Sequence, residues 1–273
     1  MLAGADGSTG YLVRSNLLGA YHCLEEAARH RAQVIFLSTS RVYPVAALSS
    51  MAYVEQDSRY ALVEQQPMAG ASAAGVSEAF PMHGARTLYG ASKLAAELLI
   101  AEYAESFGLA TVVNRCGVVA GPWQMGKVDQ GVFTHWVASF YFKRPLCYLG
   151  FGGTGKQVRD VLHVLDLVDL VERQLLGPEH RRGTVANVGG GASGSLSLRE
   201  TTAACRELTG HVLEVQGEEQ GRPGDVPIYI SDCAVLHAMT DWRPQRPPVR
   251  VLSDIFSWIG ENERLVVGAL GGG

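Results

Sequence analysis

Apolar side chains recur with two different periods along this chain, and the alternation between them lays out its elements. Near the start, Leu17, Tyr21, Leu24 and Ala28 share one helical face, with Asn16 or Ser15 placed to cap the helix. The run Val34-Ile35-Phe36-Leu37 follows, short and continuously apolar as a buried parallel strand is, and it ends in Ser38-Thr39-Ser40. From there to about Thr87 the chain is polar and irregular, punctuated by Pro44, Pro67, Gly70, Gly75 and Pro81. A stretch of that length predicts a functional excursion rather than a simple turn. Residues 89–107 read as an alanine-rich helix in which Leu94, Leu98 and Ala101 interleave with Glu97, stopped by Gly108.

A second strand, Thr111-Val112-Val113, leads into Asn114-Arg115-Cys116-Gly117. Cys147-Tyr148-Leu149 and residues 184–188 read as further strands, and helices are predicted over 129–142, 164–176, 197–209 and 249–262. The glycines and prolines of 217–227 predict a loop. Strands that alternate with helices imply an α/β fold, a parallel sheet covered on both faces.

Composition narrows the partners. Hydrophobic residues make up 47% of the 273 and charged residues 18%, a balance that suits a packed globule. The net charge of -4 gives no electrostatic reason for nucleic acid or an anionic membrane as partner. No apolar run approaches the roughly 20 residues of a membrane helix. The opening MLAGADGSTG has neither the basic flank nor the apolar core of a secretion signal. The five cysteines are scattered, with no C-x-x-C pair, and read as reduced thiols of a cytoplasmic protein. The eight histidines are equally dispersed, so no bound metal is expected.

The chemistry concentrates in Tyr89-Gly90-Ala91-Ser92-Lys93. Tyrosine and lysine at i and i+4 share a helix face, so the ammonium is expected near the phenol, lowering its pKa toward neutrality and fitting Tyr89 for general acid–base work. Alone the pattern is weak. Fifty residues earlier, however, Thr39 ends an apolar strand, where parallel sheets bind ligands and where a hydroxyl can bond a substrate alcohol as its proton leaves.

Five segments in order carry a resemblance: Ser-Thr-x-x-Val-Tyr (38–43), Tyr-x-x-x-Lys (89–93), Asn-Arg-Cys-Gly…Gly-Pro (114–122), Gly-Lys-Gln-Val-Arg-Asp-Val-Leu-His-Val-x-Asp (155–166) and Gly-Arg-Pro-Gly-Asp-Val (221–226). From about residue 10 to about 260 the chain resembles the extended short-chain dehydrogenase/reductase superfamily, namely its NAD-dependent nucleotide-sugar epimerases and dehydratases. The segment 122–131 is most similar to the CDP-paratose 2-epimerase branch. The resemblance implies Thr39, Tyr89 and Lys93 as the catalytic trio. It implies Asn16, Ser38, Thr39, Tyr89, Lys93 and Cys116 along the NAD cofactor, and Arg159 and Arg222 as a clamp on the substrate diphosphate. Guanidinium forks suit that group because they grip it bidentately. Lys127 and Gln130 are further substrate contacts by the same resemblance.

Two positions depart from the pattern. Val118 stands where many relatives place a sugar-binding Asn, and Ser40 and Arg41 stand where dehydratases carry an acidic pair. The second departure favours epimerisation over dehydration.

The fold implied is a Rossmann-like doubly wound parallel sheet lacking its first βα units, with residues 1–190 as a shortened cofactor domain and 191–273 as a substrate-binding region. Substrate loops are expected at about 123–160. No strand, glycine turn and helix of the pyrophosphate-binding kind precede residue 16, so the chain as written is expected to bind NAD poorly. Gly150-Phe151-Gly152-Gly153-Thr154-Gly155 fits G-x-G-x-x-G, but a loop, and no helix, is expected after it, which dismisses it as that turn. The function implied is transient oxidation and re-reduction of a sugar carbon. The alternatives are an inactive fragment of such an enzyme, or a dehydratase or reductase of the same superfamily. The nucleotide-sugar substrate is the one partner expected; self-association is left open.

Overall fold

The computed structural model describes residues 9–126, 130–177 and 183–270. Its first helix begins earlier than the capping signal placed it. Thr9–Leu12 (α1), a π-helical stretch Val13–Leu18 and Gly19–His30 (α2) follow one another, with the junction residues in right-handed helical backbone. Ser15 and Asn16 therefore lie inside the wide turn and cap nothing. A π turn also rotates the faces beyond it, which leaves Tyr21 exposed while Leu24 and Ala27 are buried.

β1 (Val34–Thr39) follows and runs into a 3₁₀ turn at Ser40–Val42. The excursion holds a helix, α3 (Val45–Ser49), and two antiparallel hairpins, β2 (Tyr53–Glu55) with β3 (Tyr60–Leu62) and β4 (Ala71–Ser72) with β5 (Gly75–Val76). Val42, Tyr43, Leu48, Met51, Val76 and Phe80 bury one another there with Val226 and Tyr229, so the excursion has a core of its own. α4 (Leu88–Phe107) ends where Gly108 signalled, at a left-handed φ of 65°, and it starts on a cap the sequence reading did not name, Thr87 Oγ1 accepting the Gly90 N–H at 3.1 Å.

Beyond it come β6 (Thr111–Cys116), β7 (Val118–Ala120), α5 (Val132–Phe142), β8 (Leu146–Leu149), β9 (Val158–His163), α6 (Val164–Leu176) and β10 (Thr184–Val188). The rest is β11 (Ser195–Ser197), α7 (Leu198–Thr209), β12 (Val215–Glu218), β13 (Ile228–Tyr229), α8 (Ala234–Met239), α9 (Pro248–Glu261) and α10 (Glu263–Leu270). The loop expected over 217–227 is observed over 219–227, its first two residues being the end of β12. Val215 of β12 lies opposite Leu146 of β8, and Gly217 admits the backbone of Gly153, whose oxygen would stand 2.6 Å from a Cβ there.

Two sheets result. In the first, β6 lies between β1 and β10 and parallel to both, with Thr39 opposite Cys116 and Val188 opposite Cys116 on the other side. In the second, β9 is flanked by β7 and β13, both parallel to it, and by the antiparallel β11. Gly117 joins β6 to β7 and thereby hands one extended segment from the first sheet to the second. A side chain at Gly117 would stand 2.8 Å from Asp160 Oδ1 of β9, so only glycine permits that crossing. Against the second sheet, α5, α7 and α9 pack through Phe133, Trp136, Phe140, Cys205, Ile255 and Trp258.

Candidate active site

The site forms where β1 and β6 end and α4 begins. The helix can approach because residue 90 is glycine: a Cβ there would stand 2.0 Å from the Arg41 carbonyl oxygen. That contact docks the first turn of α4 on the 3₁₀ turn after β1. It brings the Tyr89 phenol beside the Thr39 side chain. Thr39 Oγ1 also accepts the Arg41 N–H at 3.2 Å, which fixes the turn. The sequence pairing of Thr39 with Tyr89 is thus a spatial pairing.

The electrostatics of Tyr89 differ from the sequence expectation. Its phenol is held above the ordinary range, chiefly by burial, while the Thr39 hydroxyl and the Arg41 guanidinium pull it down and Cys116 pushes it up. Lys93 was expected to supply the opposing charge. Its ammonium instead lies 4.0 Å from the centre of the Phe36 ring, a cation–π contact on β1. Burial lowers the Lys93 pKa, against the attraction of Cys116 and Glu97. The Cys116 thiol, opposite Thr39 across the sheet, is pushed up to about 12 by burial. Asn16 reaches the same helix from the π turn, donating to Ser92 Oγ at 3.0 Å, and Ser92 in turn donates to the Tyr89 carbonyl at 2.8 Å.

Beneath these residues runs a buried polar chain that periodicity had not singled out. Ser38 donates to Glu97 of α4, and Glu97 pairs with Arg115 of β6 at 2.7 Å. Arg115 reaches the Tyr43 hydroxyl at 3.3 Å, and that hydroxyl donates to Asn187 of β10 at 2.8 Å. The Asn187 N–H ends the chain on Glu78 at 2.5 Å. Its six members come from four elements and, through Tyr43 and Glu78, the excursion, so the chain fixes β1, α4, β6, β10 and the excursion against one another. The one available signal was a charge at each of two positions, 97 and 115, otherwise inside apolar segments.

On the other side stand the expected substrate residues. Arg159 of β9 pairs with Asp225 at 2.5 Å and donates to the Val226 and Val158 carbonyls at 2.6 and 2.7 Å. Arg41 donates to the neighbouring Gly224 carbonyl at 2.9 Å. Its pKa is lowered first by burial and then by Arg159, with Asp225 and Tyr89 opposing. Arg222 acts on His135 of α5, whose pKa is lowered by burial first and then by that guanidinium. Gln130 is exposed, and Lys127 lies outside the described residues.

The glycine run 150–155 is explained by packing. It forms a 3₁₀ turn followed by the strand β9, and Gly150 and Gly153 admit the backbones of Gly221 and Gly217. Among the described residues no group of three or more His, Cys, Asp and Glu side chains could hold a metal ion. No described helix is long and apolar enough to cross a membrane.

Comparison with known proteins settles the family. Residues 5–189 match the NAD dependent epimerase/dehydratase family. The chain belongs to that family.

Several relatives span most of it, two of them as follows. It is 29% identical over 251 residues to the CDP-paratose 2-epimerase of Salmonella typhi, covering 89% of this chain and 70% of that protein. It is 29% identical over 259 residues to the dTDP-glucose 4,6-dehydratase of Streptomyces antibioticus, covering 93% of this chain and 66% of that one. Among solved structures, the UDP-glucose 4-epimerase of Thermotoga maritima superposes with a TM-score of 0.72 at 21% identity, covering 92% of this chain and 71% of that one. The Thermus thermophilus UDP-glucose 4-epimerase in complex with NAD gives 0.67 at 27% identity, covering 89% and 70%.

NAD is the cofactor of this family. The donor set here fits its ribose end. The half-buried Lys93 ammonium makes no hydrogen bond to protein among the described residues, and it lies on the helix that carries Tyr89. Three N–H donors without a protein acceptor suit vicinal hydroxyls.

Proposed function

We propose that this protein is a nucleotide-sugar epimerase of the CDP-paratose 2-epimerase kind, inverting a sugar carbon by oxidation and re-reduction. The observation that carries this reading is the pairing of Thr39 and Tyr89 at one end of the sheet, flanked by Arg41 in place of an acid. NAD, when bound, supplies the hydride acceptor that later returns the hydride. Tyr89 Oη takes the proton of the reacting sugar hydroxyl, with Thr39 Oγ1 bridging the two oxygens. Lys93 and Asn16 hold and orient the ribose end, and Ser38 and Cys116 close the floor. On re-reduction at the opposite face of the ketone carbon, Tyr89 gives the proton back to the ketone oxygen, so one residue serves both half-reactions.

Dehydration asks for a group that delivers a proton to a leaving hydroxyl. Arg41 cannot, because a guanidinium keeps its proton in proteins. The chain from the start to residue 190 is the cofactor side in this reading, and 191–273 contributes to the substrate side, where Arg159 and Arg222 hold the diphosphate from two directions.

The test is product analysis by proton NMR after incubation with NAD and CDP-hexoses, then with UDP- and dTDP-hexoses. Inversion at C2 supports the reading. A 4-keto-6-deoxy product would replace it with a dehydratase.

A further inference from the structure

We propose that Gly150 is a positioning residue for Arg222: it seats the loop that carries this arginine and so sets where the guanidinium meets the substrate. The proposal rests on Arg222 holding the diphosphate, as in the reading above.

Residues 219–226 form neither helix nor strand, so the place of Arg222 is decided by what holds the two ends of that loop. The entry is held by backbone against backbone. Gly150 N–H donates to Glu218 O, at the end of β12, at 2.8 Å. A Cβ on Gly150 would stand 2.7 Å from the Cα of Gly221, and one on Gly153 would stand 2.9 Å from that of Gly217. The exit is held by two arginines. Arg41 donates to the Gly224 carbonyl at 2.9 Å, while Arg159 pairs with Asp225 at 2.5 Å and donates to the Val226 carbonyl at 2.6 Å. Asp225 N–H also closes a turn on Arg222 O at 3.1 Å. Arg222 thus sits one residue beyond the first anchor and two before the second. It is half-buried between the exposed Gly221 and Pro223, so its side chain turns inward from an exposed stretch of chain.

A methyl at position 150 would have to move Gly221 from 2.7 Å to the 3.4 Å at which ordinary contact begins. Both sides of that contact are backbone, so no rotamer change relieves it. The exit is pinned to β9 and to the 3₁₀ turn after β1, and the displacement therefore falls on 221–223. Arg222 moves with it, and a guanidinium fork holds an anion well only when it is aligned.

Gly152 separates this effect from backbone strain. Its φ of 71° matches the 73° of Gly150, yet beyond its chain neighbours a Cβ there meets nothing nearer than Thr154 Cγ2 at 3.8 Å. Alanine at 152 carries the strain of a left-handed residue without pushing on the loop.

The experiment is a double-mutant cycle read by calorimetry on the full chain, with CDP, UDP and dTDP as probes. Arg222→Gln is expected to weaken binding about 10-fold, the scale of one charge-assisted hydrogen bond. Gly150→Ala should weaken it by a similar factor in the parent, but by less than about 2-fold in the Arg222→Gln background. Gly152→Ala should change affinity by less than about 2-fold in both. A glycine inserted between Gly221 and Arg222 slackens the same span in an exposed loop and should match Arg222→Gln. That variant decides the question if Gly150→Ala does not fold.

A loss in Gly150→Ala that persists undiminished without Arg222, or that Gly152→Ala equals, overturns the proposal. So does full affinity in Gly150→Ala or in the insertion variant. The reading beneath it fails differently: it falls if Arg222→Gln binds as tightly as the parent, or if the parent binds none of the three probes.

Discussion

Gly90→Ala is the sharpest test of how this site is assembled, because two magnitudes pull in opposite directions. Position 90 lies in the first turn of α4, where alanine is favoured over glycine by about 0.8–1.0 kcal/mol on helix propensity alone. The added methyl, however, would stand 2.0 Å from the Arg41 carbonyl oxygen, which is backbone and cannot swing away. A carbon–oxygen contact settles at about 3.3–3.6 Å, so helix and turn must separate by more than about 1 Å. Overpacking of this kind costs about 1–3 kcal/mol, and a backbone obstacle belongs at the upper end. The clash wins: we expect a net loss of about 1–2 kcal/mol and a fall in Tm of about 3–6 °C. The same separation draws Tyr89 away from Thr39, and a misplacement of that size lowers turnover by about 10²-fold. Thermal unfolding by circular dichroism measures the first effect, and the NMR product assay the second. A variant as stable as the parent or more so would show that α4 is not held by the Arg41 turn, and the docking argument would fall with it.

Three further outcomes are expected. Glu97→Gln leaves Arg115 buried beside an uncharged partner, so urea unfolding should show a loss of about 3–5 kcal/mol, and Glu97→Gln combined with Arg115→Met should recover much of it. Asp160 is fully buried, with Oδ1 unpartnered, and burial raises its pKa to about 6 from an ordinary 3.8. Between those values the folded state holds more protons than the unfolded one, so stability is greatest below pH 3.8 as far as this group is concerned, declines up to about pH 6, and is flat above. Asp160→Asn should remove that slope and raise stability at pH 7 by up to about 3 kcal/mol, whereas an unchanged slope in denaturant titrations from pH 4 to 7 would acquit Asp160. Arg222→Lys should weaken nucleotide-sugar binding about 10-fold by calorimetry, equally for different sugars on one nucleotide; unchanged affinity would remove Arg222 from the substrate site.

Much of the fold was legible because its elements are long and bounded by residues with a steric reason to be there. Gly108 ends α4 where glycine alone is comfortable, and α6 has the bounds read from its apolar face. The hairpins at 53–62 and 71–76 were not legible, because two or three residues cannot display a period. Asn16 misled because the same residue type that caps helices also reaches sideways from a wide turn, here to Ser92. Thr39 and Tyr89 were found together because each ends or begins an element at the same edge of the sheet. Helical spacing put Lys93 on the face of Tyr89, but it could not show that Phe36 offers the ammonium a nearer surface. Nor could it show that residues 97 and 115 pair, since partnership across elements is settled by the packing of α4 on β6 and not by either segment alone.

The crossing at Gly117 carries a consequence for how the molecule opens. Because β6 and β7 are one run of chain broken by a single residue, neither sheet can lose its strand without loosening the other's. Gly117 N–H is itself bonded to Val188 O at 2.8 Å, and Val161, paired with Val118, donates to Gly194 O at 2.8 Å. Amides on the two sides of the crossing should therefore share one opening event. In native-state hydrogen exchange Val113 and Leu162 should show the same free energy of exposure and the same dependence on denaturant, although they belong to different sheets.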